Sequence, residues 1–358
     1  MKTYSDLSNR QYNCCQFTKD NTLLCKGAAI LVMLFHHLFY AESSWELYFS
    51  FFHLGSGKPL IAFIANHGKI CVTIFVLLSA YGLTKSYKKS SGNSVYDLSF
   101  VVSHIKKLYF LYCPIFIIAI IISLLFAVPS FNDTYSSIGE CVRDFFAVAY
   151  IIDGRTALNG SAWYISFALT LYLVFPLIYR LVKRFPAIML IISFCIGIKQ
   201  ISDIPIFIEW QRYLFVVCVG IYLEEKEFFN KIIAVKTSAK ILVSAVSCIA
   251  LFAVRVLKPY TFDAFLALAI IVFCVSCFEK VKYLNSVLIF LGKHSSNMFL
   301  IHSLLYVYYL RSFIYGLYYP PLIMTVLVLI SLACSIVLDL IKVKLKTVSA
   351  HVFKGSEA

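Results

Sequence analysis

A lysine and a histidine near the start of the chain have the types and spacing that a reactive pair needs. Lys26 and His37 are eleven residues apart in a segment that is otherwise almost wholly apolar. In an α-helix, eleven residues make three turns plus about 20°, so both side chains share one face, about 16 Å apart along the axis. Histidine titrates near neutral pH and can take a proton from a hydroxyl, whereas lysine attracts anions. The pattern indicates a general base at His37 and an anion-binding cation at Lys26.

Two structural interpretations compete with this chemistry. A lysine at the end of an apolar helix can extend its amine to lipid headgroups, and a buried histidine can hydrogen-bond a neighbouring helix. Ionisable side chains inside membrane segments are nevertheless costly and indicate function by default. His36 lies about 100° around the helix from His37, and His302 falls in a later apolar segment. We treat both as candidates for the same cavity.

The composition indicates which elements must position these residues. Of 358 residues, 61% are hydrophobic and only 14% are charged, whereas about a quarter of the residues of soluble domains are charged. The apolar segments are continuous rather than alternating, as in Leu322–Leu338. Because a backbone in lipid must satisfy its own hydrogen bonds, such segments form helices. We therefore expect an all-α integral membrane protein, with the lipid bilayer around it.

The length of the apolar segments predicts a bundle of about ten transmembrane helices, since each span needs about 20 residues. The aromatic segment 45–64 is interrupted by glycine and proline, so we expect it to be interfacial or re-entrant. The predicted spans are 23–41, 69–86, 108–128, 161–181, 187–201, 210–224, 239–256, 262–278, 296–313 and 320–341.

The net charge of +14 indicates topology rather than a nucleic-acid partner. Most of the 32 Lys and Arg residues fall in alternate loops and in both tails, and such segments remain in the cytoplasm. The sequence predicts a cytoplasmic tail (1–22), a membrane domain (23–341) and a second cytoplasmic tail (342–358). We expect no nucleic acid and no metal, since the CxxC pair Cys274 and Cys277 has no further ligands nearby.

Four segments recur in a familiar order, beginning with Lys26 to His37. The others are Gly68–Gly82, Asn159–Ile165 and Leu291–His302. Together they resemble the acyltransferase-3 family of membrane acyltransferases, whose first span opens with Arg or Lys, ten further residues and His. Ala80 departs from the resemblance by one methyl group, because the family usually has glycine after the serine. The resemblance extends over about residues 23–310.

The resemblance implies transfer of an acyl group, usually acetyl, from cytoplasmic acyl-CoA to a hydroxyl of an extracytoplasmic glycan. Acceptors in the family include O-antigen, capsule, exopolysaccharide and peptidoglycan. The enzyme would be a multi-pass protein of the inner cell membrane, with acyl-CoA as donor substrate and no bound cofactor. We expect no fused extracytoplasmic domain after the last span, so the resemblance is to the stand-alone members, for which direct transfer to a lipid-linked glycan is one route.

The resemblance also implies roles for individual residues. His37 would be the catalytic base or a transient acyl carrier. Lys26 would bind the donor with His104 and Lys107, which align with two arginines in the family's loop after span two. The candidates for the acceptor pocket are Trp163, Tyr164, Tyr81, Ser79, His36 and His302.

Two alternatives remain at this stage. A transporter or flippase for a lipid-linked sugar would share the ten spans but would need no line from Lys26 to His37. A membrane scaffold without enzymatic activity would need no histidines within its spans.

Overall fold

The computed structural model describes residues 16–55, 57–89, 94–199, 201–278 and 280–355. These ranges are almost entirely helical, and their one β-bridge joins His53 to Pro59. The all-α prediction is therefore confirmed. The longer helices are α1 Lys19–Phe39, α2 Leu60–His67, α3 Ile70–Lys88, α4 Ser94–Phe126, α5 Ile138–Phe145, α6 Trp163–Arg184, α7 Pro186–Ile198, α8 Pro205–Glu225, α9 Thr237–Leu257, α10 Asp263–Phe278, α11 Lys282–Leu304 and α12 Pro320–Gly355. Shorter helical turns occupy Glu42–Leu47, Phe131–Thr134, Ala149–Ile152, Gly160–Ala162, Phe228–Ile233, Leu305–Tyr309 and Arg311–Gly316.

Seven stretches of the described chain are long and apolar enough to cross a membrane. They are Lys19–Phe39, Leu60–Lys88, Asp97–Phe126, Gly160–Arg184, Pro205–Glu225, Thr237–Leu257 and Pro320–Lys344. α7 and α10 are also apolar but shorter. Large aliphatic side chains such as Leu242, Ile249 and Leu329 are exposed on the surface of the bundle. In water this surface would be unfavourable, whereas lipid solvates it, so the chain has the architecture of a multi-pass membrane protein.

Several helices begin at residues that stabilise a helix N-terminus. At α1, the Thr18 hydroxyl accepts a hydrogen bond from the Asn21 backbone N–H, and the Asn21 side chain accepts one from the Thr18 N–H, at 3.2 and 2.8 Å. This capping box satisfies N–H groups that have no partner inside the helix. Pro186, Pro205 and Pro320 open α7, α8 and α12, at positions where the missing N–H of proline costs nothing.

α1 and α11 form the central helix pair of the bundle, with the most extensive contact between any two helices of the described chain. Two glycines allow their backbones to touch. A methyl group at Gly27 would overlap the carbonyl oxygen of Leu288, and one at Gly292 would overlap that of Leu23. Small residues at such crossings permit the close packing on which helix association in membranes depends. The first helix is therefore held directly against the helix that carries His302.

Two predicted spans begin earlier in the structure than expected, and the helix of the last predicted span, 320–341, continues to Gly355. α4 begins at Ser94 rather than at 108, so His104 and Lys107 lie on a helix and not in a loop. α11 begins at Lys282 rather than at 296 and becomes a π-helical turn at Leu305. Its first half carries polar residues such as Lys282, Asn285 and Lys293, which lower its hydropathy. Further along α11, Asn297 donates a hydrogen bond to Asp339 of α12 at 2.8 Å.

The segment between α4 and α6 is organised by a buried carboxylate. Asp144, on α5, is only 2% exposed. It accepts hydrogen bonds from the backbone N–H groups of Ala157 and Leu158, at 2.9 and 3.2 Å, and from the Tyr135 hydroxyl at 3.1 Å. Burial raises the pKa of Asp144, and these hydrogen bonds oppose that rise. The carboxylate thereby fixes the chain just before Asn159 and the start of α6.

Candidate active site

Two cavities are lined by ionisable side chains of α1, one by Lys26 and the other by His36 and His37. We call them the inner and outer cavities, after the predicted orientation of the chain. The inner cavity has a volume of about 160 Å³, and its polar lining is Lys26, Ser79, Tyr164, Tyr172, Ser295 and Ser296. The outer cavity has a volume of about 480 Å³, and its lining includes His36, His37, Lys69, Trp163, Ser303 and Tyr306. A single helix therefore presents a cation to one cavity and an imidazole to the next.

His37 lies in a group of rings at the outer cavity. Its ring centroid is 4.9 Å from that of His302, 4.9 Å from that of His36 and 6.0 Å from that of Tyr40. His37 is partly exposed, whereas His302 is fully buried beside it. The structure thus brings together the three histidines that the sequence suggested for one cavity, although His302 reaches that cavity through His37.

Backbone hydrogen bonds determine which ring nitrogen carries the proton in two of these histidines. Nδ1–H of His36 donates to the carbonyl oxygen of Ala65, and Nδ1–H of His302 donates to that of Phe299, both at 2.7 Å. A carbonyl oxygen only accepts, so Nε2 of each neutral ring is left with a lone pair. In the described part of the chain, Nε2 of His302 is buried and has no hydrogen-bond partner. Such an acceptor is costly to leave unpaired, so this nitrogen is available to accept a hydrogen bond from a neighbouring group.

Asn159 ties the start of α6 to the part of α11 that carries His302. Its side-chain amide donates to the carbonyl oxygen of Leu300 at 2.7 Å. Its amide oxygen accepts from the Ser303 hydroxyl at 2.7 Å and from the Ser161 backbone N–H at 3.0 Å. All these groups are buried, so the network is shielded from water and rigid. It fixes the position of the turn on which His302 lies.

The backbone changes form just beyond His302. Residues 305 to 309 make a π-helical turn, and Tyr306 and Tyr308 in this turn line the outer cavity. The ring of Tyr306 stacks on that of His302 with centroids 5.9 Å apart. Single π-turns inserted into a helix are frequent at functional sites because they redirect side chains. Here the turn directs tyrosines toward His37.

The side chains predicted to bind a donor lie on the inner side of the bundle. Lys26 lines the inner cavity, with Leu108 and Leu111 of α4 opposite. His104, also on α4, is half-buried, and its ring is 5.4 Å from that of Tyr172, which lines the same cavity. Lys107 is exposed. His104 therefore lies behind the residues that line the inner cavity. Lys107 lies on the exposed surface of α4.

The structure divides the residues predicted for an acceptor pocket. Trp163 lines the outer cavity and Tyr164 the inner one, because successive residues of a helix point about 100° apart. Ser79 is also at the inner cavity. Tyr81 belongs to neither group, since its ring packs against Phe17 and Phe229 with centroids 5.6 and 5.2 Å away.

A larger groove of about 730 Å³ lies beside α1, but no charged side chain lines it. Aromatic and aliphatic side chains such as Phe39, Phe52 and Leu322 line it, and its lining includes no amine, imidazole or carboxylate. Such a surface suits hydrocarbon chains rather than catalysis. The two cavities along α1 therefore remain the candidate site.

Several side chains of the site were not singled out by the sequence. Asn159 and Ser303 have a signal there, because both lie in or beside the motif segments. Phe299 and Lys69 also lie inside motif segments, but a phenylalanine in a span and a lysine at a helix start are too common for their residue types to single them out. Their place at the cavities depends on contacts between distant helices.

The fold and these cavities define a multi-pass membrane protein. One of its helices, α1, contributes a lysine to the inner cavity and histidines to the outer cavity. Comparison with protein families agrees with that description. Residues 24–340 match a family model described as an acyltransferase domain. Because the match covers nearly the whole chain, the protein belongs to the acyltransferase-3 family, and membrane acyltransferase activity follows at that level. No curated protein and no solved structure matches the chain.

Proposed function

We propose that the protein is an O-acyltransferase of the inner cell membrane that moves an acyl group, in the simplest case acetyl, from cytoplasmic acyl-CoA to an extracytoplasmic glycan. The acceptor would be a hydroxyl of O-antigen, capsule, exopolysaccharide or a similar polymer, free or lipid-linked. One observation carries the proposal, namely that α1 presents Lys26 to the inner cavity and His37 to the outer cavity. A donor and an acceptor on opposite sides of a membrane require such an arrangement.

The proposal includes the topology that the charged loops predict. Ten spans with both ends in the cytoplasm combine the seven long apolar stretches with α7, α10 and α11. α11 counts as a span in this proposal because it runs along the full length of the α1 interface, despite its polar residues. Lys26 is then near the cytoplasmic surface, and the segment 129–160 lies outside with the entrance of the outer cavity.

The donor would bind from the cytoplasmic side. The phosphates of acyl-CoA remain in the aqueous phase near Lys26, and only the thioester end of the uncharged pantetheine arm enters the inner cavity. This division avoids the large cost of taking phosphate charges into the membrane. Tyr164 and Ser79 line this cavity, so in this proposal they contact the donor rather than the acceptor. Trp163 and His36 remain candidates for the acceptor side.

His37 would act as the general base. The acceptor hydroxyl attacks the thioester carbonyl carbon while its proton passes to the imidazole of His37. The carbon–sulfur bond then breaks, CoA leaves as the thiolate, and the imidazolium returns the proton to sulfur. Alternatively, His37 itself attacks the thioester and passes the acyl group on from an acyl-imidazole. Mass spectrometry of protein denatured rapidly at neutral pH distinguishes these routes, because only the second leaves an acyl group on His37.

The test compares surface glycan from cells that carry the wild-type protein or single variants. His37→Ala should abolish the O-acyl signals in the NMR spectrum of the glycan while the protein still inserts in the membrane. His53→Ala is a matched control, since His53 is exposed in the segment after α1. Unchanged O-acyl signals in His37→Ala would refute the catalytic assignment. A transporter or flippase would instead give less surface glycan without any change in acylation.

A further inference from the structure

The inner and outer cavities meet at two apolar side chains. Val72 of α3 and Phe299 of α11 line both cavities. Both are largely buried, with 6% and 9% of their surface exposed. The ring of Phe299 is 5.5 Å from that of Tyr164, in the inner cavity, and 6.1 Å from that of His302, beside His37. The two side chains therefore form a wall between the cavities.

This wall separates the two groups that the reaction must connect. Lys26 lines the inner cavity and His37 lines the outer one. A thioester whose CoA portion is held from the inner side must bring its carbonyl carbon to within reach of His37, because attack requires contact distance. The only shared lining in the two cavities is Val72 and Phe299, so the acyl group has to pass between them.

We propose that Phe299 and Val72 form a gate that admits a short acyl group to His37 and excludes longer ones. This inference rests on the proposed function. The inner cavity has a volume of about 160 Å³, the space of about five water molecules. A two-carbon acyl group fits beside the gate, whereas a longer chain has to displace the phenyl ring. The closed gate also keeps water of the outer cavity away from the thioester.

Hydrogen bonds fix the backbone of the gate. The Phe299 carbonyl oxygen accepts the Nδ1–H bond of His302, and Asn159 holds the next carbonyl, that of Leu300. Opening therefore requires rotation of one side chain rather than movement of α11. Since Phe299 and His302 share a helical turn, the residue that selects the acyl group is rigidly connected to the residue that contacts the proposed base.

The experiment measures binding of two donors, acetyl-CoA and hexanoyl-CoA, to the purified full-length protein in detergent micelles. We expect the wild type to bind acetyl-CoA more tightly. Phe299→Ala should raise the affinity for hexanoyl-CoA relative to acetyl-CoA by about tenfold or more, since the freed space can bury the extra methylene groups. Phe299→Leu should give a smaller rise. The ratio of two affinities does not depend on the fraction of folded protein.

Phe290→Ala is the matched control, because Phe290 lies on α11 but is 43% exposed and contacts His294. It should leave the ratio unchanged within about twofold. If Phe299→Ala binds neither donor, Val72→Ala opens the gate from the other side and its ratio decides. Binding of acetyl-CoA by the wild type with an unchanged ratio in both gate variants would overturn the gate alone. A wild type that binds no acyl-CoA would overturn the proposed function as well.

Discussion

The imidazole rings of His37 and His302 lie 4.9 Å apart with their planes 68° from parallel. They come from α1 and α11, and the contact exists because reciprocal glycines bring those helices together. His37 lines the outer cavity, and Nε2 of His302 is buried without a hydrogen-bond partner in the described structure. We expect this nitrogen to accept a hydrogen bond from His37 once that ring is protonated, which would position His37 and stabilise its protonated form.

The role of His302 can be tested by removing its lone pair. His302→Phe keeps a ring of similar size in the cavity but cannot accept a proton or hydrogen bond. We expect kcat to fall by about 10²-fold with little change in KM for acyl-CoA, as is usual for loss of acid–base assistance. His302→Asn should recover part of the rate because its amide oxygen accepts. Equal kcat for His302→Phe and the wild type would show that the contact is only packing.

Lys26 should contribute mainly to donor affinity. Lys26→Ala is expected to weaken binding of acyl-CoA by about tenfold or more, since charge-assisted bonds to phosphate are among the stronger polar contacts. Lys26→Arg should retain most of the affinity, because the charge is kept. Lys85→Ala serves as control, because it removes an exposed lysine near the C-terminal end of α3. If Lys26→Ala and Lys85→Ala bind acyl-CoA equally well, Lys26 does not bind the donor and is only one of the cytoplasmic charges that set the topology.

The crossing of α1 and α11 should tolerate no side chain at its glycines. Gly27→Ala or Gly292→Ala would force a methyl group into a facing carbonyl oxygen. Overpacking of this kind costs about 1–3 kcal/mol and moves the helices apart, so both Tm in detergent and activity should fall. Gly82→Ala is the control, because nothing lies within 4 Å of a methyl group there. A wild-type Tm for Gly292→Ala would contradict the packing that the structure describes.

Asn159 should be required for activity because it fixes the turn that carries His302. Asn159→Ala removes the acceptor of the Ser161 backbone N–H and of the Ser303 hydroxyl, together with the donor to the Leu300 carbonyl. Each buried group left unpaired costs about 1–3 kcal/mol. Asn159→Asp keeps the acceptor but loses the donor to Leu300. We expect both variants to lose activity, with Asn159→Asp intermediate in Tm. Full activity in Asn159→Ala would mean that α11 holds its position without this network.

The segment between α4 and α6 should lose stability in acid because Glu140 becomes protonated. Hydrogen bonds from the Ser136 backbone and hydroxyl, with Arg155 2.6 Å away, hold the pKa of Glu140 below its ordinary value. A lowered pKa in the folded state gives stability that is present above the ordinary carboxyl range and is lost as pH falls through the lowered value. The Tm difference between wild type and Glu140→Gln should therefore shrink from pH 6 toward about pH 3.

This comparison also removes the opposite contribution of Asp144. Burial raises the pKa of Asp144, so its contribution to stability is present at low pH and is lost as pH rises. Because Asp144 is unchanged in Glu140→Gln, it cancels in the difference between the two proteins. A Tm difference that does not vary with pH would show that Glu140 is not ionised in a protected state.

The sequence by itself determined the features that depend on one helix at a time. The apolar composition implied membrane helices, and the rise and period of an α-helix put Lys26 and His37 on one face at two depths. Those inferences needed no knowledge of any other helix, because they depend only on geometry within α1. The motif order then indicated the family to which the match over residues 24–340 assigns the chain.

Only the tertiary structure decided which side chains surround that helix. His302, whose ring contacts that of His37, comes from α11. The hydropathy pattern missed the beginning of this helix because polar residues such as Lys282 and Lys293 lower the hydropathy of its first half. Tyr164 and Ser79 lie at the inner cavity, Tyr81 lies at neither, and Phe299 lies between the two. Residues far apart in sequence meet through helix rotation and crossing, which the close approach at Gly27 and Gly292 sets and which spacing within a single segment does not encode.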